Sequence, residues 1–495
     1  MSDILESYGN IKIEKIKGKS MPSYTVDLPV LSPEERHVIS NARSMITDYG
    51  QVMNELNKLR THNEKEIFLR SYLTEKVKQK QVSPDRVEYV VSKIIDELFM
   101  GYGKLGVLMR DENLEEIMVN GLSNPVFIVH RKHGMCETNI KFESLKALDS
   151  IINWLSRNSD RDITPETPLL DAHMMDGSRA NVAIAPAAPY GPSITIRRFK
   201  KVPYTILDLI ELRSLTSELA AFLWVCVEGM GLSPMDILVA GGAGSGKTTL
   251  LNALAMFIPQ TERIVTIEDT LELNFDFLPN WVPLEAFPTS LRGAKKLSMH
   301  DLMKNSLRMR PDRVIVGEMR GEEAETFFVA MDIGLEGSMG TIHANSARET
   351  SVRLMDEPMN VPSRMLPLLD LIVVCNKIYR RGEGTLRRIT QVAEIAGLEK
   401  EVIQMGDIFT WEVSTDNIKR TNYPILLSER LAKRCGITKI RLNKEIMIRQ
   451  RILEQMIKNG IREYRDVLEL FQKYHQNPKS VLKDFIGSSM PELEE

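Results

Sequence analysis

The chain has 495 residues, which is too long for a single compact core and sufficient for two or three domains. Hydrophobic residues make up 43% and charged residues 26% of the sequence, the composition of an ordinary globular protein rather than a disordered or fibrous one. The net charge of −3 excludes the chain-wide positive charge that is typical of proteins binding nucleic acid or anionic lipid non-specifically.

Cysteine and histidine spacing gives no sign of a metal site or of a disulfide framework. The four cysteines are far apart and form no C-x-x-C motif, which favours a reducing cytoplasm. His130 and His133 form a close pair without an acidic or thiol neighbour, so we expect a solvated strand edge there. The first residues lack a basic segment followed by an apolar stretch, so we expect no signal peptide, and no apolar run approaches the roughly 20 residues that span a bilayer. We therefore expect a cytoplasmic protein whose contact with a membrane is peripheral.

Hydrophobic periodicity divides the chain into four regions. Residues 1–110 alternate charged and apolar positions at helical spacing, which predicts an N-terminal helical region. Residues 111–203 contain short apolar runs between Asn-Gly, Asn-Pro and His-Gly turns, which predict a small α/β domain and a linker at Pro203. Its last predicted strand, Ile194–Phe199, carries Arg197 and Arg198.

The third region, residues 204–425, alternates strand-like and helix-like segments. Strands are predicted at Ile237–Ala240, Ile264–Ile267, Val314–Val316 and Met339–Ile342, with helices after the first strand, after Ser298 and over about Glu322–Ile333. Apolar strands without polar alternation, joined by helices, indicate a parallel sheet covered on both faces.

The last region, residues 426–495, is predicted to be helical. Arg430–Arg451 holds eight basic residues against Glu445 alone. A solvated helical face is the expected explanation, and contact with an anionic partner or membrane surface is the alternative.

One motif carries the chemistry of the third region. Gly241, Gly242, Ala243, Gly244, Ser245, Gly246, Lys247 and Thr248 satisfy G-x-x-x-x-G-K-[ST] after an apolar strand and before a helix, with Thr249 following. Glycines let the backbone aim its N–H groups at phosphate oxygens, and the helix N-terminus adds positive potential. The pattern predicts a P-loop in which Lys247 lies near the β- and γ-phosphates and the Thr248 hydroxyl faces Mg²⁺.

Two acidic clusters follow strands of the predicted sheet, where ligands of open α/β sheets bind. Glu268, Asp269 and Glu272 follow the second strand, and Glu318 follows the third. A carboxylate at either place can orient the attacking water or hold Mg²⁺, directly or through a water molecule.

The remaining candidates are a histidine and several arginines. His343 follows the strand Met339–Ile342 and is either a structural residue or a sensor of the γ-phosphate. Arginines that could support phosphoryl transfer from the same or a neighbouring subunit are Arg197, Arg198, Arg308, Arg310, Arg313 and Arg320.

Taken together, these residues resemble the type II/type IV secretion ATPase superfamily, the motors of pili, secretion systems, conjugation machines and archaella. The likeness covers about residues 110–400 and rests on the segments GGAGSGKTT, TIEDTLEL, LRMRPDRVIVGEMRGEEAE and MGTIHANSARETSVRL. It implies a RecA-like motor domain behind a PAS-like N-terminal domain, six copies in a ring, and ATP in the cleft between the two domains.

The resemblance also assigns roles to residues. Gly241–Thr248 corresponds to Walker A, and Ile267–Leu273 to the aspartate box, in which Glu272 matches the catalytic glutamate. Val314–Glu318 corresponds to an atypical Walker B whose Glu318 lies on the magnesium side, and Thr341–Asn345 to the histidine box with His343. The implied ligands are ATP and Mg²⁺. The implied partners are a polytopic membrane platform at the cytoplasmic face of the membrane and, indirectly, filament subunits.

Two departures from bacterial relatives favour the archaeal branch, which assembles pili or archaella. Ile333-Gly334-Leu335 replaces the Thr-Gly-His that commonly precedes the histidine box, and the tetracysteine zinc insert is missing. A conjugative DNA-transfer or protein-secretion motor is the alternative in the same superfamily. A nucleic-acid translocase is disfavoured by the near-neutral charge, and a scaffold without turnover by the presence of Lys247, Glu272 and Glu318.

Overall fold

The structure, a computed structural model, describes residues 2–46, 48–59, 62–159, 161–198, 202–286, 297–380, 384–400, 402–422 and 425–485. The chain forms two compact units, Met1–Lys200 and Lys201–Glu495. No helix among the described residues is both long enough and apolar enough to cross a bilayer.

The first unit is a nine-stranded sheet with helices. Its strands are β1 Ser2–Tyr8, β2 Ile11–Ile16, β3 Ser23–Val26, β4 Leu114–Asn120, β5 Pro125–His130, β6 Gly134–Lys141, β7 Leu169–His173, β8 Arg179–Ala183 and β9 Ser193–Arg197. Its helices are α1 Pro33–Ser40, α2 Ala42–Met45, α3 Tyr49–Lys58, α4 His62–Lys78, α5 Val87–Ile94, α6 Gly106–Arg110 and α7 Leu145–Asn158. The strand order is β1-β2-β3-β6-β5-β4-β9-β8-β7, antiparallel except between β3 and β6. Phe199, which the expected last strand includes, lies outside the described residues.

The start of this unit corrects the expectation of a helical region over residues 1–110. Residues 2–26 contain three strands, and β3 pairs with β6, so the first 26 residues belong to the same sheet as the α/β region that follows. The physical reason is local. Gly9 and Asn10 form a two-residue turn between β1 and β2, with Gly9 at a φ of 53°, and Ile11 and Ile13 alternate inward along β2.

His130 is also placed differently from the expected solvated strand edge. It is 3% exposed, and its Nδ1 accepts hydrogen bonds from the backbone N–H groups of Lys132 (3.1 Å) and His133 (3.2 Å). Its Nε2 lies 3.3 Å from the hydroxyl of Tyr8, which donates to Asp111 (2.7 Å). His130 is therefore an interior residue satisfied by hydrogen bonds.

The second unit is built on another nine-stranded sheet. Its strands are β10 Ile237–Gly241, β11 Ile264–Glu268, β12 Trp281–Glu285, β13 Arg313–Met319, β14 Met339–Ile342, β15 Leu371–Arg380, β16 Gly384–Glu399, β17 Val402–Glu412 and β18 Asn417–Arg420. Its helices are α8 Ile206–Glu211, α9 Ser217–Glu228, α10 Lys247–Ala255, α11 Met299–Ser306, α12 Glu323–Asp332, α13 Ala347–Met355, α14 Leu426–Arg434, α15 Lys439–Lys458, α16 Tyr464–Gln476 and α17 Pro478–Phe485. Short 3-10 turns lie at Pro84–Arg86, Gly103–Leu105, Gly229–Gly231 and Ser363–Leu368, and a π turn at Ile95–Phe99.

The order of the second sheet is β12-β11-β13-β14-β10-β15-β16-β17-β18. The strands from β12 to β15 are parallel, and those from β15 to β18 are antiparallel. Every residue of β10, β11 and β14 is buried, which confirms the expected parallel sheet covered on both faces. With β14 between β10 and β13, the arrangement is that of a RecA-like P-loop domain.

The C-terminal helices share the core of this unit. Val467 and Phe471 of α16 and Leu442 of α15 belong to the same buried cluster as Val239 of β10. The indole ring of Trp224 on α9 lies 4.7 Å, centroid to centroid, from the ring of Phe471. The helical character expected for residues 426–495 is seen up to Phe485, and the remaining ten residues lie outside the described chain.

One residue of the basic segment is buried rather than solvated. Arg449 is 2% exposed and forms ion pairs with Glu228 of α9 (2.8 Å) and Glu445 of its own helix (2.7 Å). Its guanidinium carbon also lies 4.8 Å from the ring centroid of Tyr474. The pair with Glu228 ties α15 to α9, so this arginine belongs to the core of the unit.

We expect Arg449→Ala to lower the free energy of unfolding by about 3–5 kcal/mol, because it leaves two buried carboxylates without their cation. Urea denaturation followed by tryptophan fluorescence and circular dichroism measures the change. The control is Arg451→Ala, two residues further along the helix and exposed, which should cost less than about 0.5 kcal/mol. Equal stability of the two variants would contradict a core role for Arg449.

Candidate nucleotide site

The P-loop lies between the buried strand β10 and helix α10, as the sequence predicts. Gly244 and Gly246 have φ angles of 67° and 98°, in the left-handed region that favours glycine. The turn places the first N–H groups of α10 beside the loop, where no carbonyl of the same helix accepts their hydrogen bonds. The loop and helix end can therefore surround an anion with backbone donors.

Lys247, the first residue of α10, lies across this loop. Its Nζ donates hydrogen bonds to the carbonyl oxygens of Gly241 (2.9 Å) and Gly242 (3.0 Å) and lies 3.9 Å from Glu318 Oε1. The residue is 8% exposed, and burial lowers the pKa of its ammonium group. A phosphate would give this ammonium anionic oxygens in place of neutral carbonyls, which is the stronger interaction.

Glu318 lies near the carboxyl end of β13 at an irregularity of the sheet. The pairing of β13 with β14 shifts register between Val316 and Met319, so β13 holds one residue more than β14 across Gly317 and Glu318. Glu318 Oε2 accepts a hydrogen bond from Arg320 Nη2 (2.5 Å), while Arg320 Nη1 donates to Asp269 Oδ2 (3.1 Å). Glu318 thus lies between the cations of Lys247 and Arg320.

The turn that carries Glu272 is attached to the P-loop helix. Asn252 of α10 accepts a hydrogen bond from the backbone N–H of Asn274 (2.9 Å), and its side-chain amide donates to the carbonyl of Thr248 (3.0 Å). Glu272 is half-buried. Because Asn252 contacts both segments, the position of Glu272 depends on the position of the phosphate-binding helix.

Glu268, the last residue of β11, lies beneath that turn. Its Oε2 accepts hydrogen bonds from the backbone N–H groups of Glu272 (2.7 Å) and Leu273 (3.0 Å). Glu268 is 1% exposed, and this burial raises the pKa of its carboxyl group to about 8. Burial therefore favours the neutral form of this carboxyl group more than in an exposed glutamate.

His343 follows β14 at the same edge of the sheet. It is half-buried, and β14 lies between the P-loop strand β10 and the strand β13 that carries Glu318. The Thr341 hydroxyl donates to the carbonyl oxygen of Gly317 (2.6 Å), which fastens β14 to β13 at the bulge. The parallel arrangement thus places Lys247, Glu318, Glu272 and His343 along one edge.

Comparisons with known proteins assign the chain to a family. Residues 103–420, about two thirds of the chain, match the family described as Type II/IV secretion system protein. The chain belongs to that family. Uncharacterized protein MJ0900 of Methanocaldococcus jannaschii is 34% identical and aligns with 81% of this chain and 72% of its own length.

Two further similar proteins are named as parts of type IV secretion systems. The type IV secretion system protein PtlH of Bordetella pertussis is 36% identical, over 50% of this chain and 81% of its own. The crystal structure of the VirB11 ATPase from the Brucella suis type IV secretion system, in complex with sulphate, is 28% identical and covers 59% of this chain and 92% of its own, with a TM-score of 0.30. The family match over residues 103–420 confirms the resemblance drawn from the motifs.

Arg308 and Arg310 are expected near the nucleotide, but the structure places them away from the P-loop. Both are exposed and precede β13, whereas Glu318 lies near its far end. The seven residues of β13 span about 20 Å at roughly 3.3 Å each. These arginines therefore lie at the opposite edge of the sheet from the P-loop of the same chain. Their action on a neighbouring subunit stays a prediction.

Arg313 and Arg198 are buried, and each forms hydrogen bonds within its own unit. Arg313 is 1% exposed, pairs with Glu262 (2.5 Å) and donates to the carbonyl oxygen of Val227 (2.6 Å). Arg198 is 8% exposed in the first unit and donates to the carbonyl oxygen of Asp111, and burial lowers the pKa of its guanidinium. Arg197 is exposed at the end of β9. A role for Arg197 and Arg198 toward nucleotide stays a prediction.

Sequence reasoning missed a second pair of cations beside the P-loop. Lys377 of β15 and Arg387 of β16 lie directly opposite each other in antiparallel register. Arg387 Nε donates to the carbonyl oxygen of Gly244 (3.0 Å). Their sequence neighbourhood carries no motif, and only the pairing of β15 with β16 brings them together at the loop.

The donor set fits a magnesium ion held together with a nucleotide. The described residues contain no group of three or more His, Cys, Asp or Glu side chains arranged to hold a metal by themselves. Thr248 and Glu318 instead offer a hydroxyl and a carboxylate oxygen. Magnesium prefers such oxygen ligands and usually keeps several waters, completing its shell with substrate phosphates.

Proposed function

We propose that this chain hydrolyses ATP as the motor of a type II/IV secretion-type machine. The observation that carries the proposal is that Lys247 Nζ lies 3.9 Å from Glu318 beside the P-loop, at the edge of the sheet where the turn with Glu272 follows β11. Family membership supports it, because the phosphate-binding loop and both acidic segments lie inside the matched residues 103–420.

Lys247 and the backbone N–H groups of the loop would bind the β- and γ-phosphates. Thr248 and Glu318 would hold Mg²⁺, which when bound neutralises charge on the phosphate oxygens. Glu272 would accept a hydrogen bond from the attacking water and orient it in line with the γ-phosphate. His343 would donate a hydrogen bond to the γ-phosphate, and Arg320 would hold the Glu318 carboxylate in position beside the P-loop.

We further propose that the motor assembles an archaeal pilus-like filament or archaellum. Two features of the sequence support this proposal: Ile333-Gly334-Leu335 ahead of the histidine box, and no tetracysteine insert. The similarity to an archaeal protein over 81% of the chain points in the same direction. By the family resemblance, six copies form a ring at the cytoplasmic face of the membrane, beneath a polytopic platform protein. Filament subunits are then moved indirectly, through the platform.

The similarity to PtlH favours one alternative, a motor for secretion across the envelope. Deleting the gene and complementing it with the wild type or with Lys247→Ala separates the alternatives. We expect loss of surface filaments, seen by electron microscopy, with restoration by the wild type only. Normal filaments together with loss of exported protein or transferred DNA would contradict the filament proposal and favour the secretion or conjugation motor.

A further inference from the structure

Glu268 occupies a position that the proposed reaction does not use directly. The two hydrogen bonds that its side chain accepts come from the turn of the aspartate box and not from the P-loop. Glu268 therefore closes that turn from its buried side. Its Oε2 accepts hydrogen bonds from two backbone N–H groups at the end of that turn, those of Glu272 (2.7 Å) and Leu273 (3.0 Å). The direction of the Glu272 backbone thus depends on one buried oxygen.

The second carboxyl oxygen of Glu268 is unusual. Oε1 is buried and has no hydrogen-bond partner among the residues that the structure describes. An unsatisfied buried oxygen is unfavourable, and most such atoms in folded proteins find a partner. Packing alone would be served as well by an apolar side chain, so the acceptor function of Oε2 is the property that requires an acid or amide here.

The same side chain also touches the strand that carries Glu318. A Cβ added at Gly317 would lie 2.7 Å from Glu268 Cγ and 3.2 Å from its Oε2. Only glycine therefore lets β13 pass this close to Glu268. Because Gly317 immediately precedes Glu318, one carboxyl group lies between the backbones of the two segments that bear the acids of the site.

We propose that Glu268 is a positioning residue for ATP hydrolysis. It fixes the turn that carries Glu272 against the Gly317–Glu318 segment, so that the distance between the carboxylates of Glu272 and Glu318 stays constant. This inference rests on the proposed function. It assigns to Glu268 no contact with the nucleotide or the metal. The role is carried by geometry, through two hydrogen bonds and one close backbone approach.

The test compares Glu268→Ala, Glu268→Gln and Gly317→Ala in the full chain with Mg²⁺ and ATP. We expect Glu268→Ala and Gly317→Ala to lower kcat by about 10²-fold, since small misplacements of catalytic groups have effects of that size, while the affinity for ATP is unchanged. Glu268→Gln keeps an acceptor oxygen and should retain most of kcat. The control is Glu285→Ala, at the paired register position on β12, which should leave kcat unchanged.

Amide hydrogen exchange of the peptide that contains Glu272 and Leu273 gives a second readout, and it needs no turnover. We expect faster exchange in Glu268→Ala and wild-type protection in Glu268→Gln. Normal kcat in Glu268→Ala, or a loss of kcat with unchanged exchange, would overturn the positioning role. If Glu268→Ala does not fold, Gly317→Ala decides by the same two readouts. A wild type without ATPase activity would reject the proposed function, and the exchange result would still test the anchor.

Discussion

Lys247→Ala should remove ATP hydrolysis, with kcat/KM at least about 10²-fold below the wild type, the size of effect seen when one electrostatic donor to a transition state is lost. Nζ of Lys247 is the side-chain cation nearest the loop carbonyls of Gly241 and Gly242 and lies 3.9 Å from Glu318. Without it, charge developing on the β- and γ-phosphate oxygens loses the ammonium group that lies between the loop carbonyls and Glu318. Phosphate release under saturating Mg²⁺ and ATP measures the loss.

The control for this variant is Lys304→Ala, which removes an exposed lysine from α11 and should leave the rate unchanged. Thermal unfolding of both variants should match that of the wild type, because Lys247 forms no buried ion pair with tight geometry. Hydrolysis by Lys247→Ala at the wild-type rate would show that the phosphates are bound elsewhere.

Glu272→Gln should separate binding from chemistry. Glutamine keeps the size of the side chain and its backbone hydrogen bond to Glu268, but it is a poor acceptor for a proton of the attacking water. General-base catalysis typically contributes 10²–10⁴-fold, so we expect kcat to fall by about that factor with ATP affinity retained. A fluorescent nucleotide titration and a single-turnover assay on the same protein measure the two quantities.

Asp276→Asn is the matched control for Glu272→Gln, since Asp276 is an exposed acid four residues further along the chain. It should hydrolyse ATP as the wild type does. If Glu272→Gln retained full turnover, the water-activating group would have to be sought elsewhere at this edge, with Glu318 as the first alternative.

The sequence predicts the centre of the second unit well because its signals are local. Four apolar runs correspond to β10, β11, β13 and β14, and β14 has the predicted bounds Met339–Ile342. Ser298 caps α11 as expected, accepting a hydrogen bond from the backbone N–H of Asp301. Parallel strands bring their carboxyl ends to one edge, so the motif residues that follow each strand are adjacent without any further information.

The parts that the sequence did not predict depend on long-range pairing. The N-terminal strands β1–β3 and the antiparallel strands β16–β18 contain many charged residues, and their period-2 patterns are easily interpreted as helix or loop. Arg320 is one of six candidate arginines, and only the structure shows that its guanidinium donates to both Glu318 and Asp269. Burial of Arg198 and Arg313 is likewise a property of packing, because their sequence neighbours resemble those of exposed arginines.

The most direct test of the account is the magnesium-dependent ATPase activity of the purified wild-type chain beside its Lys247→Ala variant. We expect the wild type to bind ATP and to release phosphate steadily, with the release dependent on Mg²⁺. We expect the variant to release no phosphate. A wild-type protein that neither binds ATP nor releases phosphate, even under conditions in which it forms rings, would contradict the account.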